Sequence, residues 1–196
     1  CEQAGWDAAR AAACRAAQLS RADLTTAMVF EFPELQGIMG RAYAQVVDGE
    51  PDAIALAIEE MYQPRGADDA LPASPAGAAL SVADKLDSIV GCCAVGLGPT
   101  GSADPYALRR QALGVLRIVV AHDMRVSLQA LVDRALAQYP QADAPAVRAQ
   151  VLQLLRAMPR SVGYYSAYSV APIGVLEGAV GLLALEQAAA TGRLFV

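Results

Sequence analysis

Histidine is scarce and paired cysteine motifs are missing in this 196-residue chain, and each of these features excludes a class of site. The one histidine, His122, cannot by itself build a multi-histidine metal centre. The four cysteines show no CxxC spacing, which excludes the usual zinc and redox motifs, and we expect them to be reduced. No apolar run reaches about 20 uninterrupted residues, so no membrane-spanning helix is expected.

Alanine dominates the residues that are present. Hydrophobic residues make up 55% of the chain and charged residues 18%, a balance typical of globular proteins. Alanine favours helix, and the β-branched and aromatic residues that favour strands are few. We therefore predict an all-α fold with short loops. The net charge of −5 argues against a generally basic nucleic-acid surface but allows a local basic patch.

Segment 77–91 is predicted to be a helix that carries two carboxylates. Its apolar residues recur at spacings of three, four and seven, and Asp84 and Asp87 are three apart on one face. Because a carboxylate beside apolar surface needs a partner, the sequence leaves a choice between a metal ion and a basic side chain from another helix. We expect arginines from neighbouring helices to neutralise both.

Turn and cap signals delimit the remaining elements. We expect Asp7 and Asp104 to be N-caps, Pro51 and Pro105 to be first helical residues, and Pro33 to break a helix. Three prolines make 64–75 a loop. The other predicted helices cover 7–19, a second helix that restarts at 20–23 and runs through Val29, 38–47, 51–63, 105 onward, 127–138, 145–157 and, after the chain changes character near residue 158, 175–190.

Three sequence patterns could suggest catalysis, and none of them identifies a catalytic residue. The His122-Asp123 pair resembles the motif of HD-domain metal-dependent phosphohydrolases, but those need several histidines, and here the pair follows Asp84 in the wrong order. The glycine-rich loop 96–102 lacks the lysine of a Walker loop, and no strand precedes it. Cys92 and Cys93 have no evident third group to complete a nucleophilic site.

Three arginines lie on one predicted helix: Arg109, Arg110 and Arg117. Arg110 and Arg117 are seven residues apart and share a face. Two interpretations remain open. The arginines could form ion pairs, for instance with Asp84 or Asp87, or they could contact nucleic-acid phosphates. The residues alone favour the ion pairs.

Longer motifs resemble a known family. Residues 23–40, DLTTAMVFEFPELQGIMG, are similar to the signature block of the bacterial glycyl-tRNA synthetase beta subunit. The similarity continues through YQPR at 62–65, ADKLD at 83–87, PTGS at 99–102 and DPYALRRQALGVLRI at 104–118. It covers roughly residues 5–155.

The resemblance implies a fold, partners and a location. The family enzyme is a tetramer of two alpha and two beta subunits in the cytoplasm. Its alpha subunit activates glycine with ATP and Mg, and its beta subunit binds tRNA(Gly). Residues 1–157 would form an HD-like helical domain, a degenerate bundle that binds no metal. Residues 158–196 would be a divergent or truncated tail, at most the start of the anticodon-binding region. No cofactor and no membrane contact are expected in this segment.

The resemblance also implies roles for individual residues. The acidic positions would be structural remnants of a lost metal site, with no metal bound: Glu31 and Glu34 where the histidine–aspartate pair would stand, and Asp84 and Asp87 at the motif's last aspartate. The candidate tRNA contacts are Arg65, Arg109, Arg110 and Arg117. Two alternatives to tRNA binding are an HD-type metal-dependent phosphohydrolase and a structural brace within the beta subunit.

Overall fold

The computed structural model describes residue 1 and residues 6–161, and every regular element among them is helical. The all-α prediction is therefore confirmed, whereas the likeness to HD-domain bundles and the predicted boundary near residue 157 stay predictions. The predicted helix at 175–190 lies outside the described residues. The α-helices are α1 (Asp7–Leu19), α2 (Ala27–Glu31), α3 (Ile38–Val46), α4 (Asp52–Glu60), α5 (Pro75–Ala94), α6 (Leu108–Ala121), α7 (Leu128–Leu136) and α8 (Ala144–Ser161).

Short 3-10 turns flank α2, at Ala22–Thr25 and at Pro33–Leu35. Pro33 ends the helical run as predicted, because it lacks the backbone N–H that continuation would need. Two predicted helix starts are wrong by one residue. Asp7 is the first residue of α1 instead of its N-cap, and Pro51 is the N-cap of α4 instead of its first residue. In the first turn, the Asp7 carboxylate faces the positive end of the helix dipole.

The start of α6 is displaced further. The sequence predicts Asp104 as N-cap and Pro105 as the first helical residue, but α6 begins at Leu108 after Ala107, whose φ of 54° is left-handed. The Asp104 carboxylate nevertheless accepts hydrogen bonds from the backbone N–H groups of Leu108 (2.8 Å) and Arg109 (2.9 Å). Asp104 therefore caps the helix from a position three residues further upstream than a standard N-cap.

The chain divides into two compact units at Asp84, and the first is built on small side chains. In unit one, α1 and α3 both pack against α4. Seven of its buried residues are alanines: Ala13, Ala16, Ala44, Ala55, Ala57, Ala76 and Ala78. The N-terminal turn of α5 approaches α4 so closely that a Cβ at Gly77 would lie 2.1 Å from Oε2 of Glu60. Small side chains are what allow the backbones of unit one to come this close.

Unit two, from Lys85 onward, is built on larger aliphatic side chains. In it α8 packs against both α6 and α7. Its fully buried residues include Leu108, Ile118, Leu128, Val132, Val151 and Leu155. Ser127 caps α7 by accepting a hydrogen bond from the Ala130 N–H at 3.2 Å. Among the described residues, the helices are too short or too polar to cross a membrane.

Candidate functional site

Asp23 is a buried carboxylate that joins three distant parts of unit one. Its side chain is 2% exposed. It accepts hydrogen bonds from the backbone N–H of Gly37 at 2.6 Å and from the hydroxyl of Tyr62 at 3.0 Å. Burial, together with the Asp23 charge, raises the pKa of Tyr62 well above its ordinary value. The two ends of motif 23–40 are thus fastened to each other and to the YQPR motif.

Gly37 makes this junction possible. Its φ is +84°, and a Cβ there would lie 2.6 Å from Cδ2 of the Tyr62 ring. A side chain at this position would therefore meet both an unfavourable backbone conformation and an occupied space.

Arg65, one of the four candidate tRNA contacts, holds the chain that follows Phe32. Its guanidinium donates hydrogen bonds to the backbone carbonyls of Glu34 (3.2 Å) and Gln36. Its own backbone N–H donates to the Asp69 carboxylate at 2.6 Å. The guanidinium therefore fixes the Pro33–Leu35 turn, which limits its freedom to bind a phosphate.

Asp84 is paired with an arginine, as expected from the sequence. The guanidinium of Arg21 donates from Nε to Oδ1 of Asp84 at 3.0 Å. Arg21 precedes the first 3-10 turn and has a left-handed φ of 62°. The arginine is therefore supplied from the turn before motif 23–40 and not by α6.

Asp87 has a different kind of partner, so the expectation of an arginine there is wrong. Asp87 is exposed and accepts a hydrogen bond from the hydroxyl of Tyr139 at 3.0 Å. Burial, reinforced by this hydrogen bond, raises the pKa of Tyr139. An exposed carboxylate keeps most of its water and needs no counter-charge. Gly91 leaves room for the tyrosine, since a Cβ there would lie 2.6 Å from its hydroxyl.

Glu31 and Glu34 are exposed on either side of Phe32-Pro33. Within the part of the chain that the structure describes, no three histidine, cysteine, aspartate or glutamate side chains come together in a group that could hold a metal ion. The four acidic positions and His122 are therefore not gathered into one ligand set there.

The arginines of α6 differ from one another. Arg109 is half-buried, and its guanidinium donates to the carbonyl of Gly101 at 2.7 Å and, more weakly, to that of Ala103. Arg109 thus holds the PTGS loop, much as Arg65 holds its turn. Arg117 is half-buried, and Arg110 is exposed on the helix surface. Of the four candidate arginines, Arg110 has the guanidinium best placed to meet an incoming phosphate.

Charge is divided sharply between the two units. Residues 1–84 carry five arginines against thirteen aspartates and glutamates, a formal charge of −8. Unit two, residues 85–196, carries ten lysines and arginines against seven aspartates and glutamates, a formal charge of +3, and its described part, residues 85–161, carries +4. The whole-chain charge of −5 conceals this division. An asymmetry of this kind is typical of chains in which one part meets nucleic acid.

Two residues that organise the site were overlooked in the sequence, although a signal for each was present. Asp23 opens the longest motif and Tyr62 opens the YQPR motif. Motifs that recur together in one family suggest residues that touch. The charge division was also readable by counting each segment separately.

Comparison with known proteins assigns the chain to a family. The profile described as glycyl-tRNA synthetase beta subunit matches residues 2–169. A glycine–tRNA ligase beta subunit of Myxococcus xanthus is 53% identical over 150 residues, covering 72% of this chain and 21% of the relative. That of Clostridioides difficile is 57% identical over 129 residues (66% and 19%), and that of Pseudomonas syringae pv. syringae is 45% identical over 183 residues (88% and 26%).

The matched region is thus about a fifth to a quarter of the length of these curated relatives. The profile covers most of this chain and includes motif 23–40, both acidic positions of α5 and the arginines of α6. The chain belongs to the glycyl-tRNA synthetase beta subunit family.

Proposed function

We propose that this segment binds tRNA(Gly) through unit two and positions it for aminoacylation by the alpha subunit of glycine–tRNA ligase. In this proposal ATP and Mg act in the alpha subunit, within a cytoplasmic tetramer of two alpha and two beta subunits. The segment itself contributes no catalytic residue. Family membership supports the link to the ligase, and the observation that carries the tRNA role is the formal charge of +4 on residues 85–161.

Arg110 is the proposed main phosphate contact. It is exposed, whereas Arg109 and Arg65 donate to backbone carbonyls. Arg109 would act by keeping the PTGS loop in place, and the half-buried Arg117 would add positive charge on the same helix. Contacts of this type orient a nucleic acid without reading its sequence.

The test compares two arginines in the complete ligase. Arg110→Ala should weaken tRNA(Gly) binding several-fold at low salt. It should also reduce the slope of log affinity against log salt by about one, because one phosphate contact releases about one counterion. Arg41→Ala is the matched control, since the Arg41 guanidinium lies between Asp52 and Glu59 in the acidic unit. Filter binding over a salt series measures both quantities.

Unchanged affinity and slope for Arg110→Ala would refute the role of this residue. Equal losses for Arg110→Ala and Arg41→Ala would refute the division of labour between the units. The alternative, an HD-type metal-dependent phosphohydrolase, would need a bound metal, and stoichiometric manganese, iron or zinc in the purified protein would support it.

A further inference from the structure

The described part of unit one exposes apolar side chains in one short stretch. Phe30 is 80% exposed and Phe32 is 50% exposed. Leu24, Met28 and Ile38 are each more than 40% exposed. We call these five residues the apolar ridge. Leu24 lies on the first 3-10 turn, Met28 and Phe30 lie on α2, Phe32 immediately precedes the second turn, and Ile38 begins α3. Both turns contact α2.

The composition of unit one makes this exposure unusual. Its core is made of alanine with Ile58, Met61 and Leu80, while the two phenylalanines of the described residues face outward. Large aromatic side chains bury more apolar area than any others, so a fold that needed them only for stability would place them inside. Clustered exposed apolar residues mark an interaction surface, whereas single ones need no explanation.

The ridge is also held in a fixed shape. Asp23 and Arg65 bind the backbone at Gly37, Glu34 and Gln36, directly after the two phenylalanines. A surface that is already ordered loses little conformational entropy when a partner binds.

The charges around the ridge select the partner's chemistry. Glu31 and Glu34 bracket Phe32, both are exposed, and unit one carries a formal charge of −8. Carboxylates repel phosphates, which argues against a nucleic acid stacking on the aromatics. A second copy of the ridge would bring four carboxylates together, which disfavours self-association. A protein surface with an apolar pocket edged by lysine or arginine fits.

We propose that the apolar ridge is a docking surface for another segment of the beta-subunit polypeptide, outside residues 1–196. The curated relatives have about four-fifths of their length outside the matched region. A segment of the same polypeptide is present at a high effective concentration and can bind through a small apolar surface. This inference rests on family membership and stands apart from tRNA binding.

Site-specific photo-crosslinking in a complete beta subunit that contains this segment tests the proposal. A benzoyl-phenylalanine is placed at Phe30, and in a control at Val46, which is 85% exposed on α3 but outside the ridge. The expected result is a crosslink from position 30 within one beta chain, mapped by mass spectrometry to a segment beyond residue 196 or before residue 1, and at least several-fold less from position 46. A crosslink to the alpha subunit only, to a second beta chain, to tRNA, or equally from both positions would overturn it.

A second measurement separates docking from local folding. Glu31→Lys/Glu34→Lys changes only exposed side chains, so it should leave the far-ultraviolet circular dichroism of the complete beta subunit unchanged. It should reduce the crosslink from position 30 at least several-fold, because the partner's basic rim would then face like charges. An undiminished crosslink would contradict the assignment of a basic rim. Because this variant adds four units of positive charge, its affinity for tRNA should not fall, whereas Arg110→Ala should weaken tRNA binding, so the two results are distinct.

Discussion

The helices of the two units pack through side chains of different size. Unit one brings α1 and α3 against α4 through alanines and holds its turns with buried carboxylates, Asp23 and Glu60. Unit two fills its interior with leucine, valine and isoleucine. Close backbones leave little apolar area to bury, so unit one depends more on satisfied polar groups. Unit two depends on the buried apolar area itself, and the charged side chains that the structure describes there are at least partly exposed except that of Lys85, which is buried.

Glu60 shows that a buried carboxylate of unit one has a full set of hydrogen-bond partners. It is 4% exposed, and its carboxylate accepts hydrogen bonds from the backbone N–H groups of Ala73 (2.8 Å) and Ser74 (3.1 Å) and from the Ser74 hydroxyl. No side-chain nitrogen or oxygen atom that is buried among the described residues lacks a partner. Replacing one buried polar side chain in unit one should therefore leave several buried polar groups without hydrogen-bond partners.

The largest difference in unfolding free energy is expected between replacing a buried aspartate, Asp23, and replacing an exposed one, Asp87. Asp23→Ala removes two hydrogen bonds to a buried carboxylate and leaves the Gly37 N–H and Tyr62 hydroxyl without it, which should lower the free energy of unfolding by about 4 kcal/mol. Asp87→Ala removes one hydrogen bond at an exposed site and should cost about 0.5 kcal/mol. Urea unfolding followed by the fluorescence of Trp6 and by circular dichroism compares them. Similar costs would show that buried carboxylates do not distinguish the units.

Two glycines test the tight packing of unit one. Gly37→Ala should cost about 3 kcal/mol, from its left-handed backbone and from contact with the Tyr62 ring. Gly49 has a φ of +67° and open space around it, so Gly49→Ala carries only the backbone penalty of about 1 kcal/mol. The same urea titrations measure both. Equal costs would mean that the ring moves aside freely.

High pH should weaken the junction at Tyr62. The unfolded tyrosine loses its proton near its ordinary pKa of about 10, whereas the folded one stays protonated to higher pH because burial and Asp23 raise its pKa. The stabilisation is thus complete below about pH 10 and is lost as the pH rises toward the raised pKa of the folded state, by less than about 1 kcal/mol between pH 10 and 11 because solvent screens a half-buried group. Tyr62→Phe should remove this part of the decline. A decline of the same size in wild type and variant, measured by urea unfolding at each pH, would contradict it.

The smallest effect is expected at the Asp84 ion pair. Its side chains are 51% (Arg21) and 20% (Asp84) exposed, so water and salt screen the attraction. A double-mutant cycle with Arg21→Gln and Asp84→Asn should give a coupling energy of about 0.5 kcal/mol that shrinks in 1 M NaCl. A coupling energy that is several times larger, or that does not fall in salt, would show that this ion pair stabilises unit one as strongly as its buried carboxylates do.

The sequence predicted the helices well because their signals are local. Apolar spacing and the positions of proline and glycine located α1, α3, α5, α7 and α8 to within a few residues. The start of α6 was wrong because Asp104 caps it across an intervening turn, a geometry that standard N-cap spacing does not describe.

Partners across the chain were harder to predict. The sequence indicated that Asp84 needs a basic partner, but not that Arg21 is that partner, since 63 residues separate them. Similarly, nothing in the spacing distinguishes Arg109, which holds a loop, from its exposed neighbour Arg110. Such roles depend on where a side chain points after tertiary packing. The tRNA contacts themselves stay a prediction.

The junction at Asp23 also constrains the order of folding. Its hydrogen-bond partners are 14 and 39 residues further along the chain, so the carboxylate must stay hydrated until both arrive. A contact across 39 residues requires closing a long loop, which slows its formation relative to neighbouring helix turns. We expect this junction to form late, so that motif 23–40 acquires its final shape only after α3 and α4 are in place.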